Sequence, residues 1–218
     1  MRLYLSSFQL GDRSDLLVDM VRRGAGPPTV GVIANACDVG DPARRVVTVE
    51  QELEAMRGIG LEPREIDLRD YPPDTGALER DLDGLAALWV RGGNAFVLRY
   101  AMATSGADRL IPRLVAEDTL VYAGYSAGPC VLAPSLHGLE LCDFPGDVRE
   151  SYGAEPVWQG LGVIDRPFVP HLDTPGHPET ELVAQVADRY RHEGVDFWGL
   201  RDGQVVLIDG ALSDAVLI

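Results

Sequence analysis

The sequence predicts an α/β protein, a three-layer sandwich in which a mainly parallel sheet is covered by helices on both faces and ends in antiparallel strands at its C-terminal edge. Three observations predict it. Short apolar runs recur along the chain, stretches of helical spacing separate them through the first 135 residues, and from Phe197 onward three short runs follow one another with only turn residues between them.

Taken in order, the apolar run 3–6 predicts a first strand and the spacing over 14–23 a helix. A strand over 30–34, a helix over 46–58 and a strand over 85–90 continue the alternation, followed by helices over 95–103 and 107–116 and a strand over 120–123. A helix over 127–132 closes this part. Residues 136–162 show weak periodicity and several Gly, Pro and Asp residues, and a loop that long inside a compact domain usually carries function. Strand 168–170 and helix 178–193 come next, then strands 197–200, 205–208 and 215–218. Asp202-Gly203 and Asp209-Gly210 between those last strands are hairpin-type turns, which predicts the antiparallel edge. No internal repeat or long linker appears, so residues 1–218 are expected to form one domain.

With 218 residues, 46% of them hydrophobic and 24% charged, the chain can bury a sizeable core. No run approaches a membrane span, and the start MRLYLSSFQL lacks the pattern of a secretory signal. Cys37, Cys130 and Cys142 are odd in number and form no C-x-x-C pair, which indicates neither a disulfide framework nor structural zinc; a cytoplasmic, reducing location is expected. The net charge of -15 is the wrong sign for neutralising phosphates, so neither nucleic acid nor an anionic membrane is an expected partner. All 19 basic residues are arginine. The absence of lysine excludes a Walker A lysine, a Ser-Lys dyad and a Schiff-base or pyridoxal anchor together.

The stretch 119–129 carries the most chemistry: an apolar strand runs into Gly124-Tyr125-Ser126-Ala127-Gly128 and then into a helix. G-x-S-x-G in that setting is a nucleophile elbow, in which a sharp turn between glycines lifts the serine hydroxyl over the sheet edge and the following N–H groups face any oxyanion formed there. One unit earlier the strand 85–90 ends in Arg91-Gly92-Gly93-Asn94 before another helix, a second place where backbone N–H groups are exposed at the carboxyl end of a parallel strand. A serine nucleophile needs a base, and there are four histidines. His192 ends a charged helix, His177 precedes Pro178 at a helix start and could touch substrate, His137 sits in the irregular segment, and His171 ends the apolar run Pro167-Phe-Val-Pro, where a strand tip would point it over the edge. The orienting carboxylate is Asp173, two residues on but poorly placed to curl back, or Asp202, which a neighbouring strand would bring to the same edge. Serine, histidine, acid is not the chain order of α/β-hydrolases.

These blocks together resemble the peptidase E family of aspartyl dipeptidases, and more distantly cyanophycinases, within the class I glutamine amidotransferase-like fold. The resemblance rests on Gly92-Gly93-Asn94-Ala-Phe, Gly124-Tyr-Ser-Ala-Gly128, Pro170-His171, Gly176-His177-Pro-Glu-Thr180 and Gly199-Leu-Arg-Asp-Gly203, in family order. It implies a serine peptidase without cofactor or metal, acting on small peptides as a monomer or homodimer. It implies Ser126 as nucleophile, His171 as base, Asp202 as the third member, and Gly93 with Ala127 as the oxyanion hole. It further implies substrate-binding roles for Asn94, for His177 and for Asp143, the aspartate before an x-Pro pair. Two departures stand out. Pro129 replaces a small or polar residue, and Glu181 stands where aspartyl dipeptidases carry the arginine that holds the substrate's aspartyl group. Two carboxylates repel, so substrates beginning with Asp or Glu are expected to be poor and neutral or basic first residues to be preferred. Two other readings are a non-peptidase amide or ester hydrolase and a ligand-binding protein without turnover.

Overall fold

In the computed structural model, which describes residues 1–24 and 26–218, the main sheet is built on a period of two. In strand β1 (Arg2–Ser6), Leu3 and Leu5 face one way and Tyr4 the other. The same alternation runs through β2 (Thr29–Ile33), β4 (Ala87–Val90) and β5 (Val121–Tyr125), so the sheet has two apolar faces and each needs a cover. Helices α1 (Ser14–Arg22), through Leu17, Met20 and Val21, and α2 (Pro42–Gly58), through Met56, cover the face that carries Trp89 and Tyr4. Helices α3 (Ala77–Leu82), α4 (Ala95–Ser105), α5 (Ala107–Ala116), the short α6 (Ala127–Cys130), α7 (Asp147–Tyr152) and α8 (Thr180–Glu193) cover the other. The three-layer α/β sandwich is the result.

The sheet has seven strands in the order β3-β2-β4-β5-β1-β8-β9, where β3 is Glu62–Glu65, β8 Val205–Asp209 and β9 Val216–Leu217. The first five are parallel, while β8 is antiparallel to β1 and β9 to β8, the expected C-terminal edge. One strand departs from the expectation. The run 197–200 supplies β7 (Trp198–Gly199), which pairs in parallel with β6 (Phe168–Val169) in a separate two-stranded sheet, so Asp202-Gly203 does not close a hairpin.

Two further differences have physical reasons. Strand β3, absent from the expected elements, reads Glu-Pro-Arg-Glu because it is the edge strand, where charge and proline discourage further pairing and no alternation is needed. Helix α2 starts at Pro42, four residues before the expected 46, because Asp41 accepts from the Ala43 N–H and Pro42 occupies the first turn. Among the described residues no helix is long and apolar enough to cross a membrane.

Candidate active site

The carboxyl ends of β1, β4 and β5 meet at one sheet edge, where the turn after β4 carries Gly93 and the turn after β5 carries Ser126 and Ala127. After β5 the chain passes Ser126 at φ 52°, ψ -112° and enters α6. A serine held at positive φ in so sparsely populated a region costs about 1–3 kcal/mol and persists only where its surroundings over-determine it. The elbow glycines do not carry that strain: a Cβ on Gly124 would lie 2.3 Å, and one on Gly128 2.4 Å, from the Val90 carbonyl oxygen. Both positions are glycine because the end of β4 packs directly against them, and the unusual backbone angle falls on the serine itself.

Past β6 and β7 the parallel pairing Val169↔Gly199 brings the residues that follow each strand to the same place. His171 Nδ1 lies 2.7 Å from Asp202 Oδ1. The carboxylate accepts only, so Nδ1 carries the proton and Nε2 presents a lone pair. Asp173, the other acid near His171, is exposed and lies 3.8 Å from the Arg201 guanidinium.

Ser7, at the tip of β1, has no place in the sequence expectations. Its hydroxyl accepts the His171 N–H at 2.8 Å and donates to Asp202 Oδ1 at 2.9 Å, tying the imidazole's backbone and its carboxylate to the central sheet. Thr180 donates to the His171 carbonyl at 2.9 Å. These contacts hold His171 at φ 59°, another non-glycine residue at positive φ. Phe8 sets its ring edge-on against His171, His177 and Tyr125 at 5.7, 5.7 and 6.0 Å between centroids. A signal for Ser7 and Phe8 existed in the sequence, since they follow directly on a strand that belongs in the centre of the sheet.

Ser126, His171, His177 and Gly93 all line one cleft of about 510 Å³, together with Glu52, Arg91 and Glu179. Ala127 starts the helix behind Ser126, and neither its N–H nor that of Gly93 finds a backbone acceptor among the described residues. Such open donors beside a serine are where an oxyanion would be stabilised.

Three expected substrate contacts lie outside the cleft lining. Asn94 is the N-cap of α4: its Oδ1 accepts from the Phe96 and Val97 N–H groups, and its Nδ2 donates to the Phe144 carbonyl and to Asp147. Asp143 accepts from the Ala95 N–H at 2.8 Å, and burial, aided by Glu179 and Asp147, pushes its carboxyl up to about 7 against the pull of that N–H. Glu181 is exposed on the first turn of α8. The carboxylate that faces the cleft from this region is Glu179, two residues earlier.

His177 stacks on His171 with centroids 3.8 Å apart and planes 4° from parallel, and its Nδ1 accepts from the Glu179 N–H at 3.2 Å. Ligand atoms of His171, His177 and Glu179 come within 4.8 Å of one another. Parallel rings send their in-plane lone pairs past each other rather than to one point, so His177 would have to leave the stack before the three could share an ion.

Burial holds the His171 imidazole below its usual range, with the His177 ring adding to the effect and Asp202 and Glu179 opposing it. A base must be neutral to accept a proton. The acid limb of a kcat/KM profile is therefore expected below about pH 6.5, the ordinary histidine value, with activity retained upward through neutrality. A limb at or above about pH 7 in a steady-state titration would contradict the assignment of His171 as base.

A strained serine at the end of a central parallel strand, an imidazole hydrogen-bonded to a carboxylate and two N–H groups without a backbone acceptor among the described residues are the parts that a serine hydrolase built on a parallel sheet requires. The sequence signature of Peptidase family S51 matches residues 7–215, and the chain belongs to that family. It is 25% identical over 142 residues to the uncharacterized peptidase Lmo0363 of Listeria monocytogenes, covering 65% of each chain. It is 28% identical over 135 residues to the uncharacterized peptidase Lin0382 of Listeria innocua, covering 59% of this chain and 58% of that one. The match thus spans about three fifths of these relatives. The fold is shared with a Listeria monocytogenes EGD-e protein provisionally assigned as a peptidase E, at TM-score 0.78 and 22% identity over 100% of this chain and 97% of that one. It is also shared with a peptidase from an acI-B1 Actinobacterium, at TM-score 0.61 and 15% identity over 100% and 93%.

Proposed function

We propose that this chain is a serine peptidase of small peptides, with Ser126, His171 and Asp202 as its catalytic triad. The observation that carries the reading is that His171, whose Nδ1 lies 2.7 Å from Asp202, lines the same cleft as the strained Ser126. Ser126 Oγ attacks the peptide carbonyl as His171 Nε2 takes its proton. The imidazolium then gives that proton to the leaving amine, and Asp202 stabilises the charged ring. The Gly93 and Ala127 N–H groups receive the tetrahedral oxyanion. Water repeats the cycle on the acyl-enzyme. The reducing cytosol is its proposed compartment, on the strength of three unpaired cysteines.

The charge of the cleft sets its substrate preference. Arg91 is in ion contact with Glu52 at 3.2 Å, Arg149 pairs with Glu155 on the surface, and Arg201 is exposed beside Asp173. Glu179 has no cationic partner among the described residues. Negative potential beside Ser126 disfavours an acidic first residue and favours a neutral or basic one or a free amino group. Asp-Leu is therefore expected to be cleaved at least about tenfold less efficiently than Ala-Leu or Arg-Leu, since one unfavourable carboxylate contact costs on the order of 1–2 kcal/mol. Glu179→Gln should narrow the gap, and Glu181→Arg, on the outer turn of α8, should leave the ranking unchanged. Efficient Asp-Leu cleavage by the native protein, or a gap closed by Glu181→Arg instead, would overturn this assignment.

Labelling with a fluorophosphonate tests the reaction class. Modification at Ser126 with parallel loss of dipeptide hydrolysis is the expected result. A native protein that never reacts at Ser126 would leave a ligand-binding protein on a hydrolase fold, and one that hydrolyses esters but no dipeptide in an amine-release screen would be a non-peptidase hydrolase.

A further inference from the structure

The lining of the cleft includes an ion pair that the proposed reaction does not use. Glu52, on α2, reaches across the sheet edge with its carboxylate nearly buried. Its Oε2 accepts from the Trp89 indole N–H at 2.8 Å, and its Oε1 accepts from the Tyr125 hydroxyl at 2.6 Å. The same Oε1 lies 3.2 Å from Arg91 Nε, in ion contact without hydrogen-bond alignment. Trp89 belongs to β4, Arg91 immediately precedes the Gly92-Gly93 turn, and Tyr125 immediately precedes Ser126. One carboxylate therefore grips both loops that meet at the reacting serine.

Arg91 passes that grip to the backbone. Its Nη1 donates to the Gly92 carbonyl at 2.5 Å, and the Cys37 thiol donates to the same oxygen at 3.4 Å. Cys37 lies outside the cleft lining, whereas Gly92 and Gly93 lie within it. The Gly92 carbonyl and the Gly93 N–H belong to one peptide unit, and in a trans peptide they point in opposite directions. Holding the carbonyl on the Cys37 side turns the Gly93 N–H the other way. Gly93 itself, at φ 141°, has the rotational freedom that makes such a hold necessary.

We propose that the Glu52–Arg91 pair is a peptide clamp, a pair of positioning residues that fixes the Gly92–Gly93 peptide with its N–H presented to the oxyanion; the role of that oxyanion rests on the serine-hydrolase reading. Arg91 so employed is not an anchor for an anionic substrate, although it lines the cleft. The two roles separate kinetically, because an oxyanion donor acts only on the transition state and an anchor acts on the bound substrate as well.

The test compares the native protein with Arg91→Met and Glu52→Gln on Ala-Leu hydrolysis, on the rate of Ser126 phosphonylation by a fluorophosphonate, and in crystal structures of both variants. Arg91→Met is expected to lower kcat and the phosphonylation rate by about a hundredfold, the scale of one lost oxyanion donor, with KM within about twofold of native. Glu52→Gln, which keeps the volume and loses the charge, is expected to lower both by about tenfold. In the crystals the Gly92–Gly93 peptide is expected to rotate or to lose its single orientation in Arg91→Met. A raised KM with native kcat and native phosphonylation, or a Gly92 carbonyl that keeps its orientation in Arg91→Met, would overturn the clamp. A native Ser126 that does not react at all is a failure of the hydrolase reading instead, and the crystal structures then still decide the clamp.

Discussion

Ser126→Ala and His171→Ala are each expected to lower kcat for a cleaved dipeptide by at least about ten-thousandfold, and the double variant is expected to be scarcely worse than either single one. The reason is that in the proposed triad the hydroxyl and the imidazole perform one event. Without the base, Ser126 is an ordinary alcohol with a pKa far above neutrality, and without the alcohol, His171 has no proton to move, so the second deletion removes nothing further. What survives is the turnover that binding and the Gly93 and Ala127 N–H groups supply to a water molecule, on the order of a thousandfold over the uncatalysed rate. Steady-state kinetics on the four proteins checks this, with thermal unfolding alongside. The unfolding is needed because Ser126 sits at φ 52°. Alanine must adopt the same strained angles without gaining or losing a contact that sets them, so the fold is expected to hold. Single losses that multiply in the double variant would mean that the two side chains act in separate steps, and the triad would have to be abandoned.

How much of the fold and the site is legible in the sequence depends on how local each signal is. Elements carried by a continuous apolar run, such as β1, β4 and β5, and the turns at Gly92-Gly93 and 124–128, can be read directly because their side chains declare a buried strand and the residues after it. The pairing of β6 with β7 cannot. Each is two residues long, and nothing in Phe168–Val169 or Trp198–Gly199 says that they leave the main sheet for each other. Yet Asp202 can be preferred to Asp173 without that knowledge, because a link of two residues rarely lets a carboxylate curl back onto its neighbour's ring, whereas a neighbouring strand can bring one to it. The misplacement of the cleft carboxylate at Glu181 has a different cause. A family pattern fixes the position along the chain, but the start of α8 at Thr180 decides which side chains of that turn face the cleft, and Glu179 precedes the helix while Glu181 is already on its outer face. Asn94 and Asp143 are legible as special residues and illegible as to purpose: both satisfy the free N–H groups at the start of α4, a need as local and as strict as contact with a substrate.

Asp202→Asn is expected to lower kcat by about a hundredfold to ten-thousandfold, whereas Asp173→Asn should change it by less than about twofold. The wide interval has a structural meaning. In the native site Asp202 Oδ1 accepts from both His171 Nδ1 and the Ser7 hydroxyl. An asparagine that keeps its oxygen at that position preserves both bonds and the working tautomer, and loses only the charge that stabilises the imidazolium, the milder case. An asparagine that turns its NH2 toward the ring forces the proton onto Nε2, leaving no lone pair for Ser126, the severe case. Ser7 tips the balance toward the first arrangement, since its hydroxyl also asks for an oxygen there. The double variant Ser7→Ala/Asp202→Asn, which removes that preference, is therefore expected to be at least about tenfold slower than Asp202→Asn alone, with Ser7→Ala by itself far less damaging. A profile of kcat/KM against pH separates charge from tautomer: loss of the carboxylate charge moves the acid limb to still lower pH, because the neighbour that favoured the imidazolium is gone. An Asp173→Asn variant as damaged as Asp202→Asn would place the orienting acid elsewhere, and an additive Ser7→Ala effect would remove the serine from the tautomer argument.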